Sequence, residues 1–169
     1  VSNETGAIND IAEIARRVKE KNPRTVFLSD GVQAFGKIPF RMTKDIDLYA
    51  VSAHKIGALK GTGALIRRKG YTALTPYIHG GGQENGLRSG TENVFGIACF
   101  LYAAQEKFAT LSEDAKRLES CKERLWALLD KDLFMRISPA SGSPYILTVS
   151  SQGRRGETLQ RMLWDMGVA

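Results

Sequence analysis

Lys55 ends the run Val51-Ser52-Ala53-His54-Lys55, a primary amine standing just behind a hydroxyl and an imidazole. Upstream, Asp30 opens Asp30-Gly31-Val32-Gln33. Each group comes just after a short apolar stretch that reads as a buried strand: Thr25-Val26-Phe27-Leu28 before Asp30, and Asp47-Leu48-Tyr49-Ala50-Val51 before Lys55. A primary amine forms a Schiff base with a carbonyl, and a carboxylate holds the proton on a pyridine nitrogen. Together these are the two demands of pyridoxal 5'-phosphate (PLP), whose protonated ring is an electron sink. Strand ends lying side by side in an open α/β sheet are also where ligands bind. Taken singly, a loop lysine is usually solvated, and an aspartate after a strand usually caps a turn or helix. The chemistry is carried by the pair together with the motifs downstream of it.

The elements that must position these groups are legible as hydrophobic periods. Ile8, Ile11, Ile14 and Val18 recur at helical spacing, with Asn9 or Asp10 able to cap the start and Pro23 beyond the end. The two strands above come next, then a third at Gly63-Ala64-Leu65-Ile66. Helix alternating with strand predicts a mostly parallel sheet with helices on its faces. Residues 77–93 hold Gly80, Gly81, Gly82, Gly86 and Gly90 and read as a loop of unusual backbone conformation. A long helical pattern starts at Val94, runs through Ile97, Leu101, Ala104, Phe108 and Leu111, and continues through Leu118, Leu125, Leu128 and Leu129, with a break near Ser112 as the alternative. Strands are expected over residues 133–137 and 145–149, and a helix over 156–166. This second part is α+β, and the boundary is placed between residues 93 and 95.

The chain has 169 residues, 43% hydrophobic and 25% charged, which is ordinary globular composition. It carries no apolar run of membrane-spanning length and no visible signal peptide. Its first residue is Val1, so it reads like the interior of a larger protein. The net charge of +6 is spread over Arg16-Arg17, Arg67-Arg68-Lys69 and Arg154-Arg155 rather than gathered in a basic block. That pattern favours solvated surface charge and an anionic cofactor over nucleic-acid binding. Cys99 and Cys121 have no metal-ligand spacing, so no zinc site is expected. Cys99, in an apolar setting, is expected to be an inert buried thiol, and cysteines this sparse fit a reducing cytoplasm.

Longer motifs sharpen the picture. In order they are Asn3-Glu4-Thr5-Gly6; Asp30-Gly31-Val32-Gln33-Ala34-Phe35-Gly36-Lys37; Ser52-Ala53-His54-Lys55; and His79-Gly80-Gly81-Gly82-Gln83-Glu84-Asn85-Gly86-Leu87-Arg88-Ser89-Gly90-Thr91-Glu92-Asn93. Through them the chain resembles, along essentially its whole length, the cysteine desulfurases within the class V aminotransferase group of fold-type I PLP enzymes. The last motif is the most specific. It is similar to the subgroup that builds iron–sulfur clusters or supplies sulfur for tRNA modification.

The resemblance implies an α/β fold: a PLP-dependent transferase-like large-domain portion, mostly parallel sheet with helices, followed by part of a smaller α+β domain. Residues 1–93 would be the C-terminal portion of the PLP-binding domain, and 94–169 a linker helix and part of the small C-terminal domain. It further implies that Lys55 forms the internal Schiff base and that Asp30 pairs with the pyridine nitrogen. Asn3 and Gln33 would lie near the phenolic oxygen, with Gln33 its donor. Ser52 and His54 would bind the phosphate, and Thr91 would reach the phosphate of the other subunit's cofactor in a homodimer. Lys55 would shed its proton through burial beside cationic groups. The implied reaction takes L-cysteine to L-alanine and leaves a persulfide, passed to a sulfur-acceptor protein (a scaffold or a tRNA-thiolation enzyme) in the cytoplasm, with no direct nucleic-acid or membrane partner.

The chain departs from the family's pattern at Leu59, where proline is common, and at Ser2, where a second asparagine is common. The family's ring-stacking histidine and a phosphate-binding threonine would precede Val1. Its nucleophilic cysteine loop and substrate-binding arginine would lie beyond Ala169. The expectation is therefore a fragment without desulfurase activity of its own, with Cys99 and Cys121 in no catalytic role. Selenocysteine lyase or another class V aminotransferase stands as the alternative activity, and a non-catalytic scaffold fragment as the alternative class.

Overall fold

A computed structural model describes residues 1–168. The chain divides into two compact units, Asp10–Leu111 and a second made of Val1–Asn9 with the residues from Ser112 onward. The division falls inside a helix, beyond the boundary expected between residues 93 and 95, and the first nine residues join the second unit.

The first unit opens with helix α1, Ile11–Lys21. Asp10 caps it, its carboxylate accepting the Glu13 N–H at 3.1 Å, while Lys19 and Lys21 stand at the negative end of the helix dipole. Ala15 is fully buried on its inner face. Three strands come after it: β1, Leu28–Asp30; β2, Leu48–Ser52; and β3, Gly63–Arg67. They pair in the order β1-β2-β3. β1 and β2 are parallel, with Ser29 opposite Tyr49 and Asp30 opposite Ala50. β3 is antiparallel to β2, Ser52 facing Gly63 and Leu48 facing Arg67.

The sheet is thus mixed rather than mostly parallel. The link between β2 and β3 is a single 3-10 turn and a few residues, too short for the crossover that a parallel return needs. β2 is the central strand, and neighbours of opposite pleat, Leu48 and Tyr49, are both buried, so both its faces are covered. The edge strands differ. Val26 and Leu28 are about half exposed and every residue of β3 is exposed, so the buried first strand expected from sequence is an exposed edge.

Ile46, Val51, Ala53 and Ile56 complete the core around β2. Phe40 stacks on Tyr49 at 4.1 Å, and Phe35 meets Phe100 and Phe108 edge-on at 5.8 and 5.2 Å. These last contacts explain why the first part of helix α2, Val94–Leu128, belongs with the sheet. The helix is continuous, with no break near Ser112. Thr110 Oγ1 bonds back to the Glu106 carbonyl, and Arg117 pairs with Asp114 at 2.9 Å, so the polar residues there are satisfied within the helix.

Asp47 ties this unit together. It is 1% exposed and accepts from Lys19 Nζ (2.5 Å), the Phe27 N–H (2.9 Å) and Arg68 Nη2 (2.9 Å), joining α1, the approach to β1 and the end of β3. Burial pushes its carboxyl up, but the bonds from Lys19, Phe27 and Arg68 outweigh that and hold it below the usual aspartate range.

The second unit contains an antiparallel pair, β4, Phe134–Arg136, and β5, Val149–Ser151, followed by helix α3, Gly156–Asp165. The strand expected over 145–149 begins only at Val149. Before it, the Thr148 N–H is taken by Ser138 Oγ at 2.7 Å instead of a ladder partner. The N-terminal segment is tied in by the Ser143 N–H to the Gly6 carbonyl, at 2.7 Å.

Candidate functional site

Asp30 is the last residue of β1 and is exposed. Its Oδ1 accepts the Val32 N–H at 2.9 Å, which turns the chain sharply off the sheet. The Gly31 N–H still reaches the Ala50 carbonyl at 2.8 Å, so the ladder holds the aspartate right up to the turn. Gly31 must be glycine. A Cβ there would stand 1.9 Å from Cζ and 2.3 Å from Oη of Tyr49, whose ring fills the space below the turn. The Tyr49 hydroxyl is buried without a hydrogen-bond partner, and burial, then the charge of Asp30, pushes its phenol up to about 12. Gln33 and Lys37 lie on the turn beyond Gly31, with Lys37 Nζ donating to Gln33 Oε1 at 2.7 Å.

Ser52 is the last residue of β2 and is half-buried. The 3-10 turn Ala53–Ile56 comes next, and its burial alternates usefully. Ala53 and Ile56 are 0% and 3% exposed, whereas His54 and Lys55 between them are exposed. The buried pair anchors the turn and so aims the imidazole and the amine outward. Gly57 closes it with φ 93°, a conformation other residues adopt only with strain, and its N–H returns to the Ala53 carbonyl. Exposed Lys55 corrects the expectation of a buried lysine: it stands between two anchors, not under a cover.

The register places these groups together. Asp30 lies opposite Ala50, two residues before Ser52 on the neighbouring parallel strand, and such strands run about 4.8 Å apart. Asp30, Gln33, Ser52, His54 and Lys55 therefore share the C-terminal edge of β1 and β2. A carboxylate suits a protonated ring nitrogen, an amide N–H a phenolate, hydroxyl and imidazole a phosphate, and an amine a carbonyl.

The other expected residues lie elsewhere. Thr91 is exposed on the loop before α2. That loop is held by Ser89, which is 7% exposed and gives both its N–H and its hydroxyl to the Ile78 carbonyl, at 3.2 and 3.0 Å. Asn3 is exposed in a turn of the second unit, where Ser2 Oγ accepts the Glu4 and Thr5 N–H groups at 3.3 and 3.2 Å. The serine that replaces the family's second asparagine is thus the cap of this turn. Cys99 is half-buried rather than buried, and Cys121 is exposed, both within α2. Lys37 and Tyr49 are neighbours of the site that sequence reasoning misses. Lys37 has a usable signal, its spacing of four residues from Gln33 on one turn, while the place of Tyr49 under Gly31 follows only from the pairing of β1 with β2.

No helix among the described residues is long and apolar enough to cross a membrane. The family model for class-V aminotransferases matches residues 1–169. A cysteine desulfurase IscS from Anaeromyxobacter sp. (strain K) is 41% identical across 99% of this chain, which covers 42% of that relative. Among solved structures, a NifS-like protein superposes with a TM-score of 0.93 at 42% identity, over 99% of this chain and 46% of its own. A NifS-like protein from Rickettsia africae ESF-5 gives 0.87 at 31% identity, over 100% of this chain and 47% of its own. The chain thus spans less than half the length of the relatives it matches. Its α/β architecture is that of the NifS-like proteins, and by sequence and fold together the chain belongs to the class-V aminotransferase family.

Proposed function

We propose that this chain supplies the PLP-anchoring part of a cysteine desulfurase. The observation that carries the reading is the shared strand-end edge, with Asp30 ending β1, Ser52 ending its parallel neighbour β2, and His54 and Lys55 on the turn directly after it. The likeness to cysteine desulfurases supports the choice of reaction. The donor set suits PLP, each group matching one functional group of the cofactor, and the exposed face of the turn leaves His54 and Lys55 open to a ligand.

When bound, PLP supplies an electron sink that acidifies the substrate's Cα proton. The chain's own residues divide the remaining work. Lys55 would hold the cofactor through its amine, and the same amine would move the substrate's Cα proton. Asp30 keeps the ring nitrogen protonated. Ser52 and His54 hold the phosphate, and Gln33 donates to the phenolic oxygen. Asn3 is assigned near the same oxygen and Thr91 to the phosphate of a neighbouring subunit's cofactor, which makes the working form a homodimer.

The substrate in this reading is L-cysteine and the product L-alanine, with the sulfur passed to an acceptor protein in the cytoplasm. The assignment of residues 1–93 to the cofactor domain and 94–169 to the linker helix and small domain belongs to the same proposal, with the first half of α2 packed on the sheet. Cys99 and Cys121 are both fixed in α2 rather than in a loop, so neither is assigned as sulfur acceptor. The 169-residue chain expressed alone is accordingly expected to release no sulfide from L-cysteine.

The test is sulfide release from L-cysteine by the full-length protein, with PLP and a thiol reductant. Turnover that depends on PLP supports the reading. A protein that binds PLP but transaminates L-cysteine without releasing sulfur overturns the desulfurase assignment.

A further inference from the structure

Lys37 closes the motif that begins at Asp30, and the proposed chemistry leaves it without a role. Its Nζ lies 2.7 Å from Gln33 Oε1. An ammonium group has donors only, so the atom it meets must be the amide oxygen, and the amide NH2 of Gln33 is turned away from it. Lys37 is itself half-buried and constrained. At the adjacent Gly36, a Cβ would stand 3.0 Å from Ile56 Cγ2 and 3.2 Å from Lys107 Cβ, so the turn after β2 and helix α2 both close on this segment. Burial first, then the charges of Lys55 and Lys107, holds the Lys37 ammonium below the usual lysine range.

We propose that Lys37 is a positioning residue, which locks the Gln33 amide with its NH2 toward the phenolic oxygen of PLP and carries a positive charge on the segment that packs against the Lys55 turn. The inference rests on the reading of this edge as a PLP site. Its consequence is electrostatic. A donor on the phenolic oxygen stabilises its anionic form, and a nearby cation opposes a proton on the Lys55 nitrogen. Both lower the pH at which the nitrogen joining Lys55 to the cofactor loses its proton. The charged and titratable groups on the elements that meet here are Asp30 at the end of β1, His54 on the Lys55 turn, Lys37, and Lys107 of α2, which closes on Gly36.

The experiment is a pH titration of the visible absorbance of the full-length protein reconstituted with PLP. Lys37→Met keeps the stem but removes donor and charge, and the midpoint is expected to rise by about one pH unit. Lys37→Gln, which tolerates the half-exposed site if the methionine variant folds poorly, is expected to move it the same way. Lys37→Arg keeps charge and donors and is expected to restore the wild-type midpoint. Gln33→Ala is expected to raise the midpoint, and Lys37→Met added to it should have a smaller effect than alone, because part of its action passes through Gln33. Lys37→Met and Lys37→Gln proteins that melt earlier but titrate at the wild-type midpoint would show a merely structural lysine and overturn the proposal. A wild-type protein that forms no adduct through Lys55 overturns the cofactor reading and this inference with it, and the two failures are told apart by that wild-type control.

Discussion

At the strand ends, exposed chemistry stands on buried supports. His54 and Lys55 sit between Ala53 and Ile56, and Asp30 turns above the buried ring of Tyr49. The glycine-rich loop over residues 77–93 has almost nothing beneath it. Among its residues only Ser89 is buried, and Glu84 and Asn85 hold positive φ of 51° and 58° in the middle of a turn. The first region is organised by its own unit, through strand pairing and packing. The second has a single buried residue and exposed functional groups. The proposal that Thr91 acts across a dimer and Asp30 within the chain draws on the same difference.

Variants can break that contrast. The largest effect is expected from Asp30→Asn in the full-length enzyme, where the amide cannot hold the ring proton. Turnover should fall by roughly 10²–10³-fold, the equivalent of ~3–4 kcal/mol, with the melting temperature nearly unchanged because Asp30 is exposed. Unchanged turnover would remove Asp30 from the site. Gly31→Ala acts instead on the support. Its methyl group would collide with Tyr49, and a loss of about 3 kcal/mol in denaturant unfolding is expected. The double variant with Tyr49→Ala should recover part of that loss, and no recovery would contradict the packing of Tyr49 under the turn.

Asp47→Asn tests the frame behind both strands and is expected to cost about 2 kcal/mol at neutral pH, because Lys19 and Arg68 lose a buried partner but keep some access to water. The Asp47 carboxyl titrates below the usual range in the folded state. Its contribution is therefore complete above the ordinary aspartate value near ~4 and is lost as pH falls through the lower, folded value. The gap in stability between wild type and variant should close on acidification, and a gap that persists at low pH would mean that packing rather than charge is at stake. The smallest effect is expected from Thr91→Ala. PLP affinity should fall about tenfold, ~1.4 kcal/mol, without a change in melting temperature. If Thr91→Ala unfolds the protein instead, the loop is an internal support and the contrast with the strand ends fails.

The strand-end site is legible in the sequence because it depends on local signals. Leu48 to Val51 form an apolar run that ends at Ser52, and the functional residues come at once after it. The features that periodicity hides depend on partners distant in sequence. β1 begins at Leu28 and not at Thr25 because the Phe27 N–H goes to the Asp47 side chain rather than into a ladder. β3 returns antiparallel because of the length of its link, which periodicity does not report. The expected burial of Lys55 is a chemical inference, and burial falls on its neighbours instead. The continuity of α2 past Ser112 rests on side-chain bonds three and four residues apart, which a polar run conceals.

The central claim is that the amine at the end of β2 is the one that holds the cofactor. The direct measurement is borohydride reduction of the PLP-loaded full-length protein, followed by peptide mapping. The account predicts a single pyridoxyl adduct on Lys55, absent from Lys55→Ala. An adduct on Lys60, or one that survives Lys55→Ala unchanged, would contradict it.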